Sequence, residues 1–285
     1  MSSDLGPYRR WASTPLGERP TYSIVIPTYN EELRIVPTIG AIASHISTMG
    51  EPWELIVADD GSTDTTREIV SELGLVNLRL LEAERNAGKG DAVRRGVLAA
   101  QGDIILFADA DQSTPIEQFT ALLEELERGA DVAVGSRAVS GAEVENKSLM
   151  RSAFSAGLQF IVKGVFKIPV ADTQCGFKMF TRKAAHTLFT RQQIDDFSFD
   201  LEILYLARKF DLQTVEVPVQ WIDAPGSKVD PVKVAIGFVR DLAQIRRNDT
   251  NGVYAEPAHA ITDDAVPDST ADIPTHSWIN PARAA

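Results

Sequence analysis

Two aspartates one residue apart, Asp109 and Asp111, follow an apolar run in the stretch LFADADQST (residues 106–114). On an extended segment residues i and i+2 point to the same side, so both carboxylates can face one point. Two like charges would repel there, and Mg²⁺ or Mn²⁺ would remove the repulsion because hard cations bind carboxylates and bridge them to phosphates. The spacing therefore favours a metal–diphosphate site. The alternative is a helix N-cap, with Asp111 or Ser113 ahead of Pro115 at the first helical turn.

Three other apolar runs end in the polar segments PTYNEE, ADDGSTD and GSR. In doubly wound sheets the ligand binds beyond the carboxyl ends of the strands, where these segments would lie. Asn, Asp, Gly, Ser and Thr also dominate ordinary turns, which is the alternative for any one segment. Four acidic or polar turns on one rim favour a binding site.

A glycine-containing stretch, RNAGKGDAVRRG, opens a predicted helix at Lys89. It is not a P-loop, because Ala83 stands where that motif requires its first glycine and Gly90 where it requires Ser or Thr. The free N–H groups at the start of such a helix favour an anion. A plain helix start with exposed Lys and Arg explains the pattern equally well.

The elements that must position these residues are strands alternating with helices. The predicted strands are Ser23–Ile26, Trp53–Ala58, Leu78–Leu81, Ile104–Ala108 and Asp131–Gly135. The predicted helices are Ile35–Met49, Thr65–Leu73, Lys89–Ala100 and Ile116–Arg128. Short continuous apolar strands are typical of a parallel sheet covered on both faces, so the fold class is α/β and doubly wound.

The second half of the chain is mixed rather than strictly alternating. Its predicted elements are an amphipathic stretch at Leu149–Val170, a segment at Phe177–Phe180 of no assigned type, helices at Lys183–Thr190 and Phe199–Phe210, a strand at Thr214–Gln220 and a helix at Pro231–Arg247. The chain is rich in Ala, Pro, Asp and Thr without periodicity after residue 248, which predicts a disordered tail over 249–285. We divide the chain into an N-terminal extension (1–20), one domain (21–248) and this tail.

The composition limits the classes of function. The 285 residues are 44% hydrophobic and carry a formal charge of −12, which argues against nucleic-acid binding and against simple electrostatic adsorption to an anionic membrane. One cysteine, Cys175, allows no internal disulfide and fits a reducing cytoplasm. No apolar run approaches the roughly 18–20 residues that span a bilayer. No apolar signal-peptide segment follows Arg9 and Arg10, so we expect a protein that is not secreted.

Nine ordered segments resemble glycosyltransferase family two with the GT-A fold. They are SIVIPTYNEE, LIVADDGSTD, NAGKGDAVRRG, LFADADQSTPIEQ, VAVGSR, DTQCGFKMFTR, FDLEILYLA, EVPVQW and PGSKV. The resemblance runs from about Tyr22 to Arg247 and is strongest to dolichyl-phosphate β-glucosyltransferases and their bacterial polyprenyl-phosphate relatives. It implies a nucleotide-sugar half over 21–137 and an acceptor half over 138–248.

The resemblance also implies which side chains bind the donor. The nucleotide-sugar ligands would be Pro27, Tyr29, Glu31, Asp60, Lys89, Asp109 and Lys228. Asp109 and Asp111 would also hold the metal. In related dolichyl-phosphate mannose synthases a Gln two residues beyond the second Asp helps to hold it. That position is Ser113 here, with Gln112 one residue earlier, which leaves a third protein ligand open.

The resemblance implies that the acceptor phosphate binds to Arg137, Arg151 and Ser155, which match the lipid-phosphate positions of mannose-synthase relatives. Arginine suits this role because its planar fork matches phosphate. Lys178 is a further candidate for acceptor phosphate or donor diphosphate, and a surface lysine is the equal alternative. For Arg151 the alternative is an exposed charge on an amphipathic helix.

Asp200 and Glu202, in the segment FDLE, lie two residues apart at a predicted helix start. In relatives that act on hydroxyl acceptors a carboxylate near this position is a general base. A phosphate monoester needs a base less, because its second pKa of roughly 6 leaves it ionised near neutral pH. The alternative is charge that complements the helix dipole. The candidate catalytic residues are therefore Asp111, Arg137 and Asp200.

These observations and the resemblance predict a metal-dependent, inverting hexosyltransferase. An acceptor phosphate would attack the anomeric carbon of UDP-glucose, while Mg²⁺ or Mn²⁺ neutralises the leaving diphosphate. The alternatives are mannose from GDP-mannose, a soluble hydroxyl acceptor, and, in another class, a non-catalytic nucleotide-sugar-binding subunit.

The apolar acceptor requires contact with a membrane. We expect a cytoplasmic protein that docks peripherally at the cytoplasmic face through the stretches at Leu149–Val170 and Pro231–Arg247, where apolar residues lie beside Lys and Arg. Both stretches could instead pack in the core, or form an interface with a membrane partner subunit or a second copy of the chain.

Overall fold

The computed structural model describes residues 6–144, 166, 168, 170–222 and 231–255, with the backbone alone at 144 and 231–239. Its first half contains α1 (Gly6–Ser13), β1 (Tyr22–Thr28), α2 (Ile35–Ile46), β2 (Trp53–Asp59), α3 (Thr66–Glu72), β3 (Leu78–Glu82), α4 (Lys89–Ala99), β4 (Ile104–Ala108), α5 (Phe119–Glu127) and β5 (Val132–Ser136). Its second half contains β6 (Glu143–Val144), β7 (Phe177–Thr181), α6 (Arg182–Phe189), α7 (Phe199–Lys209), β8 (Thr214–Pro218), β9 (Gln220–Trp221) and α8 (Pro231–Thr250).

Within the described ranges, seven strands form one sheet in the order β3-β2-β1-β4-β7-β5-β8. The paired strands run parallel except at β7, which is antiparallel to both β4 and β5. Tyr22 of β1 lies opposite Trp53 on one side and Ile104 on the other. The strand order therefore reverses at β1 and β4, and their carboxyl ends open a crevice. The predicted α/β class, with a mainly parallel sheet and a mixed second half, is confirmed.

Helices cover both faces of the sheet. Val25 of β1 packs among α4, α6, α7 and α8, whereas its neighbours Ile24 and Ile26 pack among α1, α2, α3 and α5. All three side chains are fully buried. Each such side chain contributes about 1.5–3 kcal/mol relative to an exposed position, so strand alternation holds the two helix layers together.

The described part of the predicted N-terminal extension packs against the domain. Trp11 of α1 stacks on Trp53 with ring centroids 4.1 Å apart, and its Nε1 donates to the Trp53 carbonyl at 2.9 Å. Asn77 Nδ2 donates to the Trp11 carbonyl at 2.6 Å. These contacts tie α1 to the start of β2.

The ordered chain continues past the predicted start of the tail at residue 249. Helix α8 ends at Thr250, and Tyr254 is fully buried in the core, where its hydroxyl donates to the buried Glu202 carboxylate. The predicted boundary thus falls inside packed structure. Residues 256–285 lie outside the described residues.

The larger described apolar side chains of the two proposed docking stretches face the core. Phe166, Ile168 and Val170 are buried in one cluster with Leu242 and Ile245 of α8. For these residues the core-packing alternative is correct, and the rest of the first stretch lies outside the described residues. Among the helices that the structure describes, none has the length and apolar character needed to cross a membrane.

Candidate active site

Asp109 and Asp111 follow β4 at the crevice, as predicted. The backbone N–H of Asp109 donates to the Gly176 carbonyl at 3.0 Å, and Asp111 Oδ1 accepts the Ser113 N–H at 2.9 Å. Between the aspartates and this serine, Gln112 adopts a left-handed conformation with φ of 52°. The short helical turn after Pro115 has no side-chain cap. The N-cap alternative is therefore wrong, and the turn presents two carboxylates at the crevice.

Both aspartates line a cavity of about 120 Å³. Its other walls come from the turn after Asp111, the end of β5, the loop before β7 and strand β9. These walls are formed by Ser113, Thr114, Arg137, Gln174, Gly176 and Trp221. The cavity therefore brings the predicted metal carboxylates and one predicted phosphate ligand, Arg137, into a single space.

Lys89, the first residue of α4, reaches the same carboxylates. Its Nζ lies 2.6 Å from Asp109 Oδ1, and its side chain is 20% exposed, so the plain exposed-lysine alternative is wrong. Burial lowers the pKa of Lys89, but the negative charges of Asp109 and Asp200 outweigh burial and raise the pKa above its usual value. A cation thus already faces Asp109.

Asp60 holds the loop that precedes Lys89. Its carboxylate oxygens accept the N–H groups of Ala87 and Gly88 at 2.8 and 2.9 Å. Burial raises the pKa of Asp60, against the lowering effect of these two hydrogen bonds. The contact that the structure describes is with the loop, and a contact with the nucleotide stays a prediction.

The residues predicted at the end of β1 border the same crevice. Pro27 is buried in β1, whereas Tyr29 is 45% exposed. Glu31 accepts two hydrogen bonds from Arg34, at 2.7 and 2.8 Å. Burial raises the pKa of Glu31, and the charge of Asp111 adds to this against the effect of Arg34. The ends of β1 and β4 are therefore electrostatically coupled.

Arg137 is held in a fixed orientation at the cavity wall. Its Nε and Nη2 donate to the two carboxylate oxygens of Asp172 at 2.6 and 2.8 Å, and its backbone N–H donates to the same side chain at 2.9 Å. Burial alone would lower the pKa of Arg137, but the hydrogen bonds and charge of Asp172 outweigh burial and raise this pKa above its usual range. The guanidinium is a permanent cation beside Asp109 and Asp111.

Lys178 is fully buried, so its interpretation as a surface lysine is wrong. Its Nζ donates to Asp200 Oδ1 and to the Cys175 carbonyl, both at 2.6 Å. The ammonium faces this pair of acceptors rather than the cavity, an arrangement that does not support the predicted contact with acceptor phosphate.

Asp200 is buried with Lys178 and is not exposed to an acceptor. Burial raises the pKa of Asp200, and the nearby charges of Lys178 and Lys89 oppose that shift. A general base must reach the proton it removes. The geometry of Asp200 is that of one half of a buried ion pair.

Glu202 has a structural role. It accepts the backbone N–H groups of residues 193 and 194 at 2.9 and 2.8 Å, and the Tyr254 hydroxyl donates to its other oxygen. The residue that follows this pair, Asp195, accepts the N–H of Asp91 in α4 with its backbone carbonyl at 3.1 Å. Glu202 therefore supports the helix start that carries Lys89.

Three predicted ligands, Arg151, Ser155 and Lys228, lie outside the described residues. Among the unpredicted residues that line or support the cavity, three contact a predicted site residue: Asp172, Gly176 and Trp221. All three lie in segments that carry the resemblance, DTQCGFKMFTR and EVPVQW. Their spacing holds no signal of these roles, because each acts on a residue far away in the sequence.

Gly176 packs directly against Asp109, and this contact leads to a prediction. A Cβ at Gly176 would overlap the Asp109 carboxylate, because even the farther oxygen, Oδ1, would lie 2.7 Å from it. Gly176→Ala is expected to displace this carboxylate and to weaken Mn²⁺ binding by about 10- to 100-fold, as changes beside metal ligands do. The measurement is Mn²⁺ titration followed by electron paramagnetic resonance.

The matched control for this prediction is Gly40→Ala, since a Cβ at Gly40 in α2 meets no atom within 4 Å. Both variants should show cooperative thermal unfolding. Equal Mn²⁺ affinity in the two variants would contradict the role given to Gly176.

The donor set of the cavity fits a divalent cation. Asp109 and Asp111 supply the hard oxygen atoms that Mg²⁺ and Mn²⁺ prefer. The Lys89 ammonium beside Asp109 shows that this carboxylate attracts a positive charge. Within residues 6–144, 166, 168, 170–222 and 231–255, no group of three or more His, Cys, Asp or Glu side chains is arranged to hold a metal. Two carboxylates leave coordination positions for the phosphates of a ligand.

A crevice where the strand order of a mainly parallel sheet reverses, with two carboxylates at the strand end, is the arrangement expected of a GT-A glycosyltransferase. Glucosyl-3-phosphoglycerate synthase from Mycobacterium tuberculosis, solved with Mn²⁺, UDP-glucose and phosphoglyceric acid, shares this fold at a TM-score of 0.60. The two sequences are 21% identical, with 79% of each chain covered. The chain belongs to glycosyl transferase family 2, whose family model matches residues 23–189.

Three relatives of higher identity are each named dolichyl-phosphate beta-glucosyltransferase. The Dictyostelium discoideum protein is 33% identical over 247 residues, which cover 81% of this chain and 76% of the relative. The Homo sapiens protein is 32% identical, with 81% and 76% covered. The Saccharomyces cerevisiae protein is 35% identical, with 82% and 76% covered. The resemblance seen in the sequence is confirmed.

Proposed function

We propose that this glycosyltransferase moves glucose from UDP-glucose to a dolichyl or polyprenyl phosphate with inversion at the anomeric carbon. One observation carries the choice of acceptor. The cavity pairs the two aspartates with a fixed cation, Arg137, while the candidate general base, Asp200, is buried in an ion pair. The names of the relatives support both the sugar and the lipid phosphate.

On the donor side, Asp109 and Asp111 would hold Mg²⁺ or Mn²⁺. When bound, the cation supplies Lewis-acid stabilisation of the charge that develops on the leaving diphosphate. Lys89 adds a second positive charge beside Asp109, and Asp60 fixes its loop. Tyr29 and Glu31 at the end of β1 border the space where the nucleotide would lie.

On the acceptor side, Arg137 binds and orients the attacking phosphate. Asp172 holds two of its nitrogens, so the fork is preorganised and loses little freedom on binding. The phosphate oxygen carries its own negative charge near neutral pH and needs no base. Positioning and electrostatics therefore supply the catalysis.

The acceptor lipid is too apolar to leave a bilayer, so the protein must meet it at a membrane surface. We place this contact at the cytoplasmic face, made by the chain itself or through a membrane partner subunit. Flotation with neutral and anionic liposomes tests direct contact. A protein that stays in the soluble fraction with both would point to the partner subunit.

The test of the proposed function uses purified protein with Mn²⁺ or Mg²⁺, a short polyprenyl phosphate and a panel of UDP- and GDP-hexoses. Mass spectrometry should detect a lipid-phosphate hexose with UDP-glucose, and no product with Asp111→Ala. If product formed with GDP-mannose alone, the donor would be GDP-mannose rather than UDP-glucose. Sugar transfer to soluble hydroxyl acceptors without lipid product would overturn the phosphate acceptor.

A further inference from the structure

We propose that Trp221 is a positioning residue that holds Arg137 in the cavity and links it to the turn that carries Asp111. This inference rests on the proposed function, because it assigns Arg137 to an anionic phosphate acceptor. Trp221 lines the cavity, and its ring lies over the Arg137 guanidinium with Cζ 5.4 Å from the ring centroid.

The guanidinium of Arg137 is restrained in two directions. In its plane, Nε and Nη2 are hydrogen-bonded to Asp172. Over its face, the ring of Trp221 makes a cation–π contact. The remaining nitrogen, Nη1, donates to no described residue, which leaves one N–H edge for a ligand in the cavity. A phosphate oxygen matches this edge in charge and geometry.

The strand that carries Trp221 is also bonded to the turn that carries Asp111. The N–H of Ile222, the next residue, donates to the Ser113 carbonyl at 2.8 Å, and the Ser113 N–H donates to Asp111 Oδ1 at 2.9 Å. Trp221 and Ile222 therefore connect the cation that binds the acceptor to the carboxylates that bind the donor. A shift of β9 would change the distance between the two substrates.

The surroundings of Trp221 differ from those of a core tryptophan. Trp53 is 1% exposed and stacks on Trp11 in the apolar core between the sheet and helices α1, α2, α3 and α5. Trp221 is partly exposed and borders open space together with charged side chains. Its contact with Arg137 thus serves the cavity rather than the packing of the sheet.

The experiment compares Trp221→Leu and Trp221→Phe with Tyr8→Leu, an aromatic-to-leucine control on α1. Trp221→Leu is expected to raise the KM for short polyprenyl phosphate by about 3- to 30-fold, the range of a cation–π contact. The KM for UDP-glucose and the thermal midpoint should stay near wild type. Trp221→Phe, which keeps an aromatic face, should restore most of the acceptor affinity, and Tyr8→Leu should leave both KM values unchanged.

A second arm measures coupling to Arg137. In an Arg137→Lys background, Trp221→Leu should cause little further loss, because the planar fork that the ring covers is gone. An unchanged acceptor KM in Trp221→Leu, or equal increases in both KM values, would overturn this inference while lipid glycosylation by the wild type stands. No lipid product with the wild type would overturn the proposed function, and this inference with it.

Discussion

Asp111→Asn is expected to reduce glucosyl transfer by about 10²- to 10³-fold, equivalent to about 3–4 kcal/mol of transition-state stabilisation. The substitution removes a charge from one of the two carboxylates that face the cavity, so that both metal affinity and donor orientation are lost. The fold should persist, because the Ser113 N–H, which donates to Asp111 Oδ1 in the wild type, can donate to the side-chain oxygen of the asparagine instead. Asp111 is the better target than Asp109, whose removal would also leave Lys89 unpaired.

Initial rates and Mn²⁺ titration by electron paramagnetic resonance measure this effect. The matched control is Asp103→Asn, at the opposite end of β4, where the carboxylate is exposed and pairs with Arg19 on the surface. Exposed ion pairs contribute little, so this control should retain activity. Wild-type Mn²⁺ binding and turnover in Asp111→Asn would rule out the metal site proposed here.

Lys178→Met is expected to destabilise the fold by about 3–5 kcal/mol, the cost of breaking a buried ion pair on one side. The variant leaves the buried Asp200 carboxylate without its partner and removes the donor to the Cys175 carbonyl. Urea denaturation followed by circular dichroism gives the free energy of unfolding. The control is Lys183→Met, an exposed lysine in α6, for which the change should be within about 0.5 kcal/mol.

The destabilisation of Lys178→Met should depend on pH. Burial already raises the pKa of Asp200, and loss of Lys178 removes the charge that opposes this shift. A carboxyl whose folded pKa lies above its unfolded value favours folding below the unfolded pKa, and this advantage is lost as pH rises through the folded pKa. The variant should therefore lose less stability near pH 5 than near pH 8. A loss of stability that does not change with pH would contradict the buried ion pair between Lys178 and Asp200.

The double variant Lys178→Met/Asp200→Leu separates stability from catalysis. Replacing both charges with apolar side chains should recover most of the lost stability, since two buried charges no longer need desolvation. A folded double variant that still glucosylates lipid phosphate would exclude Asp200 as a general base. A folded double variant that no longer glucosylates lipid phosphate would instead favour a catalytic role for Asp200.

The sequence by itself determined the order of the elements and the place of the two carboxylates. The apolar run predicted β4 at Ile104–Ala108, with the bounds that the structure has. Asp109 and Asp111 lie at the crevice because the residues after a parallel strand emerge at its carboxyl edge. These features are local, since hydrophobic periodicity and turn chemistry act over a few neighbouring residues.

The tertiary structure decided which charge meets which. Insertion of the antiparallel β7 between β4 and β5 places Lys178 opposite Phe107 and Val134, inside the sheet rather than on the surface. Arg137 meets Asp172, 35 residues away, and Glu202 meets Tyr254, 52 residues away. Periodicity reports the face on which a side chain lies, but not the strand beside it. The partners of Lys178, Arg137 and Glu202 therefore followed from strand order and helix packing, which bring distant segments together through burial rather than through local pattern.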